Sequence, residues 1–162
     1  MSLDKTEKLI DSISDKSPML DYLFSKGLKF DKEHRSYHLI CCEERSETNP
    51  YCCKHGLMDL SVESWQEDSF QIVSVCFYFV QNDDMMRDPD IVFRYNKLTD
   101  NHNIEPLEIP LSYRLDSMGI YNEVYQGDKI NLSLLKELQE MLKITVEHCK
   151  SFDYKVREDL EK

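Results

Sequence analysis

An α+β fold, with an antiparallel sheet, N-terminal helices and a long C-terminal helix packed on one face, is what three features of this 162-residue sequence predict. Helical periodicity is confined to the two ends of the chain. The middle runs in short stretches that alternate or are rich in β-branched and aromatic residues. Those stretches are joined by short polar turns, the pattern of strands that neighbour each other in sequence and in space. At roughly 150 residues per domain the length fits one domain. It divides into a helical segment over 1–30, a sheet over 36–125 and a C-terminal helix over 131–157. Hydrophobic residues make up 41% of the chain, enough to close a core, and four glycines and five prolines exclude a linker-dominated or collagen-like chain.

The elements follow in order. Leu9, Ile10 and Ile13 share one side of a short helix over 4–14. Ser17-Pro18 reads as a cap with proline at the first helical position, and Gly27 as a left-handed stop, giving a second helix over about 18–26. Tyr37 to Cys42 is extended and apolar, and Glu43 to Pro50 is polar and turn-like. Leu57 to Glu63 alternates, with Leu60 and Val62 on one face; Gln66 to Ser69 is a turn. Phe70 to Val80 has the composition of a central strand. A polar break over Gln81 to Pro89 precedes a strand at Ile91–Tyr95. Asp100 to Asn103 is a turn, and Ile104 to Arg114 is extended, edge-located or bulged because it holds Pro106 and Pro110. Ile120 to Tyr125 is a last short strand. Asn131 caps a helix whose apolar stripe is Leu135, Leu138, Leu142, Thr145, Cys149, Phe152 and Val156.

Charge narrows the function classes. Thirty-one acidic against twenty basic residues leave −11, and the segment 67–131 alone holds twelve acids and five bases. Such a chain lacks the basic stripe that neutralises phosphates, so direct nucleic-acid binding is not expected, nor is anchoring to an anionic membrane. The apolar run Ile72 to Val80 is far shorter than the roughly 20 residues of a membrane span. The N-terminus Met1-Ser2-Leu3-Asp4 has no basic region leading into an apolar core, so the expected compartment is the cytoplasm with reduced thiols.

Six cysteines include the adjacent pairs Cys41-Cys42 and Cys52-Cys53, with His38 and His55 nearby. In extended segments adjacent side chains point to opposite faces, so at most one thiol of each pair should face a given side. The spacing also lacks the Cys-x-x-Cys knuckle of closed zinc sites. Buried thiols acting as small hydrophobes are therefore expected, with Cys53 and His55 as a partial site in reserve. No metal ligand and no cofactor is assigned.

The segment Gln81-Asn82-Asp83-Asp84-Met85-Met86-Arg87-Asp88-Pro89-Asp90 puts four carboxylates in one connection between two strands. Crowded carboxylates are solvated, paired with a cation such as Arg87, or gathered on a metal ion. It lacks the spacing, glycine and distal glutamate of a calcium EF-hand loop. Asn82, Asp84, Asp88 and Asp90 are the candidate binding residues here. Tyr121 and Tyr125 are candidate anchors for a partner surface.

Lys54-His55-Gly56-Leu57-Met58-Asp59-Leu60, the run from Phe77 to Phe93 and the run from Asp116 to Tyr125 resemble a domain-of-unknown-function family. Its members are small bacterial proteins often encoded on plasmids, phages and integrative elements. Members usually carry Gln-Asn-Gly-Asp where this chain has Asp83, and histidine near Cys76 or Phe77. The resemblance covers roughly residues 54–125 and implies no particular activity. The expected function is a non-catalytic binding or regulatory module whose acidic face meets a basic protein partner. The alternative is a metal-dependent hydrolase that gathers Asp84, Asp88 and Asp90 around magnesium or manganese.

Overall fold

A computed structural model of the chain describes residues 17–68, 70–81, 84–96 and 107–157. The helix expected over 4–14 and the turn at 100–103 lie outside these residues. The described elements are helix α1 (Pro18–Ser25), strands β1 (Arg35–Ile40), β2 (Leu60–Glu67), β3 (Phe70–Gln81), β4 (Asp84–Asn96), β5 (Ile109–Leu115) and β6 (Ile120–Glu123), a hairpin of β7 (Tyr125–Gln126) and β8 (Lys129–Ile130), helix α2 (Leu132–Ser151) and strand β9 (Lys155–Val156). This is the predicted α+β class. Seven strands form one sheet in the order β6-β5-β4-β3-β2-β1-β9, every pairing antiparallel.

Side-chain alternation divides the sheet into two unlike faces. Opposite one another on the inner face stand Leu39, Leu60 and Phe77, then Val62, Val75 and Ile91, then Val73 and Phe93. These pack with Met19, Leu20 and Leu23 of α1 and with Leu142, Val146 and Cys149 of α2 as one core. A second cluster joins Ile109 of β5 to Leu134, Leu135 and Leu138 of α2. Helix α2 thus lies across the sheet as expected, its start fixed by the Asn131 side chain, which accepts a bond from the Leu134 N–H at 3.0 Å.

Two expectations are corrected, and an alternative left open is resolved. The C-terminal helix stops at Ser151 rather than continuing to 157: Asp153 turns left-handed at φ 52°, which buries Tyr154 and sends Val156 into β9 beside Leu39. Its buried stripe accordingly uses Val146 instead of Thr145, whose hydroxyl bonds back to the Met141 carbonyl, and Phe152 is exposed. The polar break expected over Gln81–Pro89 is strand at Gln81, where β3 ends, and again from Asp84, where β4 begins; residues 82 and 83 lie outside the described residues. Polar composition there reflects exposure at the end of a long hairpin. Of the two options for the proline-containing segment, the bulge is realised: β5 is interior, with Leu111 the extra residue between the pairs Val92–Ser112 and Phe93–Pro110.

Helix α1 is closed from a distance. Ser17 makes no side-chain cap; the buried Glu108 carboxylate instead accepts the Leu20 N–H at 2.8 Å. A carboxylate at a helix N-terminus is bound both by the free N–H and by the helix dipole. Glu108→Ala is expected to lower unfolding free energy by about 1.5–3 kcal/mol, the scale of a hydrogen bond to a charged group. Glu108→Gln, which keeps an acceptor oxygen, should lose clearly less; urea denaturation of both variants measures the difference.

Candidate functional site

Two polar regions stand out, one on each side of the hairpin formed by β2, β3 and β4. The first is on the outer face of the sheet, which no described helix covers. Its residues alternate with the core: Ser61 and Cys76 stand in register with Asp90, and Asp90 with Arg114 and Tyr121 beyond. A bulge shapes this patch. Cys76 pairs with Asp90 and Tyr78 with Arg87, so Asp88 and Pro89 together oppose Phe77. The extra residue returns Arg87 to the side of Asp90. There its backbone N–H and its Nε bond Asp116 Oδ2 at 2.9 and 3.2 Å.

Electrostatics follows from these contacts. The Asp90 carboxyl is largely buried and accepts a 2.6 Å bond from the Ser74 hydroxyl. Burial pushes its pKa above the ordinary carboxylate value, against the Ser74 bond and the Arg87 and Arg114 charges, which pull it down. Asp116 is shifted the other way, held below its usual value first by the Arg87 backbone N–H and then, against burial, by the Arg87 side chain. Tyr121 lies with the Arg114 guanidinium 4.9 Å from its ring centroid and donates to Glu123 Oε1 at 2.9 Å.

The carboxylates that are close in sequence are thereby separated. Asp90 faces outward beside Ser74, whereas Asp88 lies near Tyr113, on the helix-covered side. Asp84 is exposed next to the hairpin end, opposite Gln81. Asn82 lies outside the described residues. The convergence of Asp84, Asp88 and Asp90 that a metal-dependent hydrolase would use is not present. Among the described residues, the one group of three or more His, Cys, Asp or Glu donor atoms close enough to share an ion is made of cysteines. The two tyrosines part as well: Tyr121 is half exposed, while Tyr125 packs against Ile109, Val124 and Leu135.

The second region is that thiol cluster. Strand β1 ends at Ile40, so Cys41 and Cys42 sit in a bend and not in the extended segment the sequence suggests. Both thiols then face Cys53, and the three Sγ atoms lie within 4.8 Å of one another, correcting the expectation that neighbouring thiols diverge. Cys41 and Cys53 are 3.0 Å apart. Burial raises the Cys53 thiol pKa, but the Cys41 thiol and the N–H groups of Leu57 and His55 bond its sulfur and leave it below the usual value. Cys41 is correspondingly pushed up to about 12 by burial and by its position as the donor to Cys53.

The loop carrying Cys42 is tied to the loop carrying Cys53. Lys54 pairs with Glu44 at 2.5 Å, Arg45 grips both oxygens of the buried Asp59 at 2.7 and 2.6 Å, and a second Arg45 nitrogen bonds the Cys42 carbonyl. Next to this corner Gly56, Leu57, Met58, Phe77, Ile144, Thr145 and His148 line a cleft of about 280 Å³. Tyr154 ties two of these residues together: its hydroxyl donates to the Met58 carbonyl at 2.6 Å and lies 3.2 Å from His148 Nε2. No helix among the described residues is long and apolar enough to cross a membrane.

Residues 44–150 match the family described as a domain of unknown function, DUF6908, and the chain belongs to that family. The matched stretch runs from the Glu44 loop to the end of α2, so it includes Cys53, the sheet from β2 to β6 and the Asp90 patch, and leaves out Cys41 and Cys42. Neither a curated protein nor a solved structure matches the chain.

The Asp90 carboxyl supplies a pH test. Its folded-state pKa is raised, so its contribution to stability is complete below the unfolded value and is lost as pH rises through the folded one. Asp90→Asn removes that loss. The stability of wild type relative to this variant is therefore expected to fall as pH climbs above the ordinary carboxylate range. Urea midpoints for the two proteins at pH 4 and pH 7 check the sign.

Proposed function

We propose that this member of the DUF6908 family is a non-catalytic binding module that engages a basic protein through the Tyr121 end of its outer sheet face. The observation that carries the reading is the state of Tyr121: half exposed, yet fixed by the Arg114 guanidinium against its ring and by Glu123 at its hydroxyl. An aromatic side chain ordered before binding loses little entropy on docking. Tyrosine and arginine are also the residue types on which interfaces concentrate their energy. Met85 and Met118, 51% and 69% exposed, add apolar area close to Arg87 and Asp116 in the chain.

The polar groups of the patch are satisfied by one another, Ser74 with Asp90, Arg87 with Asp116 and Tyr121 with Glu123, which supports a preformed recognition surface. Charge selects the partner. The chain carries −11, and the acidic excess of segment 67–131 would accelerate encounter with a basic surface and suppress acidic competitors. The proposed role is a regulatory one in the cytoplasm of a bacterial host.

The test is affinity capture from a bacterial extract with immobilised wild type and Tyr121→Ala, followed by calorimetry with the purified partner. The expected result is a basic protein released by salt and bound about 30-fold more weakly by the variant, the scale of a truncated interface anchor. Retention indifferent to both salt and the substitution would contradict the proposal.

A further inference from the structure

We infer that Cys41, Cys42 and Cys53 form a zinc site, with three thiolate ligands from the protein and a fourth position open towards solvent. A tetrahedral zinc ion with Zn–S bonds of about 2.3 Å places its sulfurs roughly 3.8 Å apart. The three Sγ atoms already lie within 4.8 Å of one another, so adjustment of side-chain torsions alone brings them to that spacing. Cys53 is fully buried and Cys41 and Cys42 are half-buried, which closes one side of the trio and leaves the other accessible.

A second observation, independent of the sulfur distances, is the turn that follows Cys53. The Gly56 N–H bonds the Cys53 carbonyl at 2.9 Å, the Cys53 N–H bonds the Leu57 carbonyl at 2.9 Å, and Gly56 adopts φ +85°, so the turn is closed by its own backbone. A turn closed in this way fixes the backbone that carries Cys53 and orients its sulfur before the ion arrives. Outer partners complete the arrangement. Arg45 and Lys54 lie near enough to act electrostatically on Cys42 and Cys53, offsetting the negative charge of three thiolates around a divalent ion. The Glu44–Lys54 and Arg45–Asp59 pairs hold the two ligand loops together. Zinc binding displaces the thiol protons to solvent and transfers no electrons. The ion would join the end of β1 to the turn that forms one wall of the His148 cleft.

The test uses the whole chain, reduced, stripped of metal and then titrated with cobalt(II) and zinc. One cobalt per chain is expected, with strong thiolate-to-metal charge-transfer absorption and the visible bands of tetrahedral cobalt, both abolished by one equivalent of zinc. Zinc should protect Cys41 and Cys42, the two accessible ligands among the six thiols, from alkylation, as identified by mass spectrometry. This readout on the unmutated chain does not depend on a variant folding. Cys53→Ser should weaken zinc at least 10-fold, and Cys52→Ser should leave it unchanged. Reduced protein that takes up no cobalt, protection of other cysteines, a Cys41–Cys53 disulfide that forms in place of the metal complex, or equal affinity in Cys53→Ser would each overturn the assignment.

Discussion

The strict alternation of side chains along β3 is the constraint on which the rest of the structure depends. Val73, Val75 and Phe77 face the helices; Ile72, Ser74 and Cys76 face away. Burial of each inner valine contributes about 1.5–3 kcal/mol, and every neighbouring strand must present its own apolar residues on the same side to share that gain. A one-residue slip of β4 would carry Asp90 and Arg94 into the core and expel Ile91 and Phe93. The polar face is thus specified by the packing of the other one.

The bulge at Asp88–Pro89 adapts this rule to the outer patch. Asp90 and Arg87 are three apart, an odd spacing that would place them on opposite faces of a regular strand. Two residues opposite Phe77 restore them to one face, where Arg87 reaches Asp116 and helps to offset Asp90. At the other side of the sheet the chain reversal after α2 has a similar consequence. Tyr154 turns under the sheet and bonds the Met58 carbonyl, and β9 closes against β1, so the Cys53–Met58 turn is held against the strand end that carries Cys41.

Much of this architecture is legible in the residues. Pro18 and Gly27 bracket α1, Asn131 caps α2, and the apolar content of Phe70–Val80 marks the central strand. What escapes local reading is what depends on partners distant in sequence. The stretch Asp84–Pro89 has loop composition but is strand, because pairing with β3 supplies the hydrogen bonds that its own propensity does not favour. Glu108 gives no local sign of capping a helix 88 residues away. The candidate site is legible in part. Tyr121 emerges as the exposed aromatic, but Tyr125 joins the core, and Asp84, Asp88 and Asp90 separate because alternation acts on them once the segment is extended. The thiol trio escapes the alternation rule for the converse reason: two adjacent cysteines converge only because β1 ends one residue before them. The signal available was the Cys-Lys-His-Gly sequence at 53–56, which allows a tight turn behind a cysteine.

The division of the sheet into a face covered by the helices and a face that no described helix covers is tested most directly by hydroxyl-radical footprinting of the free protein, read by mass spectrometry. Comparing like with like cancels intrinsic reactivity. Tyr121 should be modified much faster than Tyr154, and Met118 much faster than Met19, since the first of each pair is exposed and the second fully buried. Equal rates within the pairs, or protection of Tyr121 with labelling of Tyr154, would contradict the account.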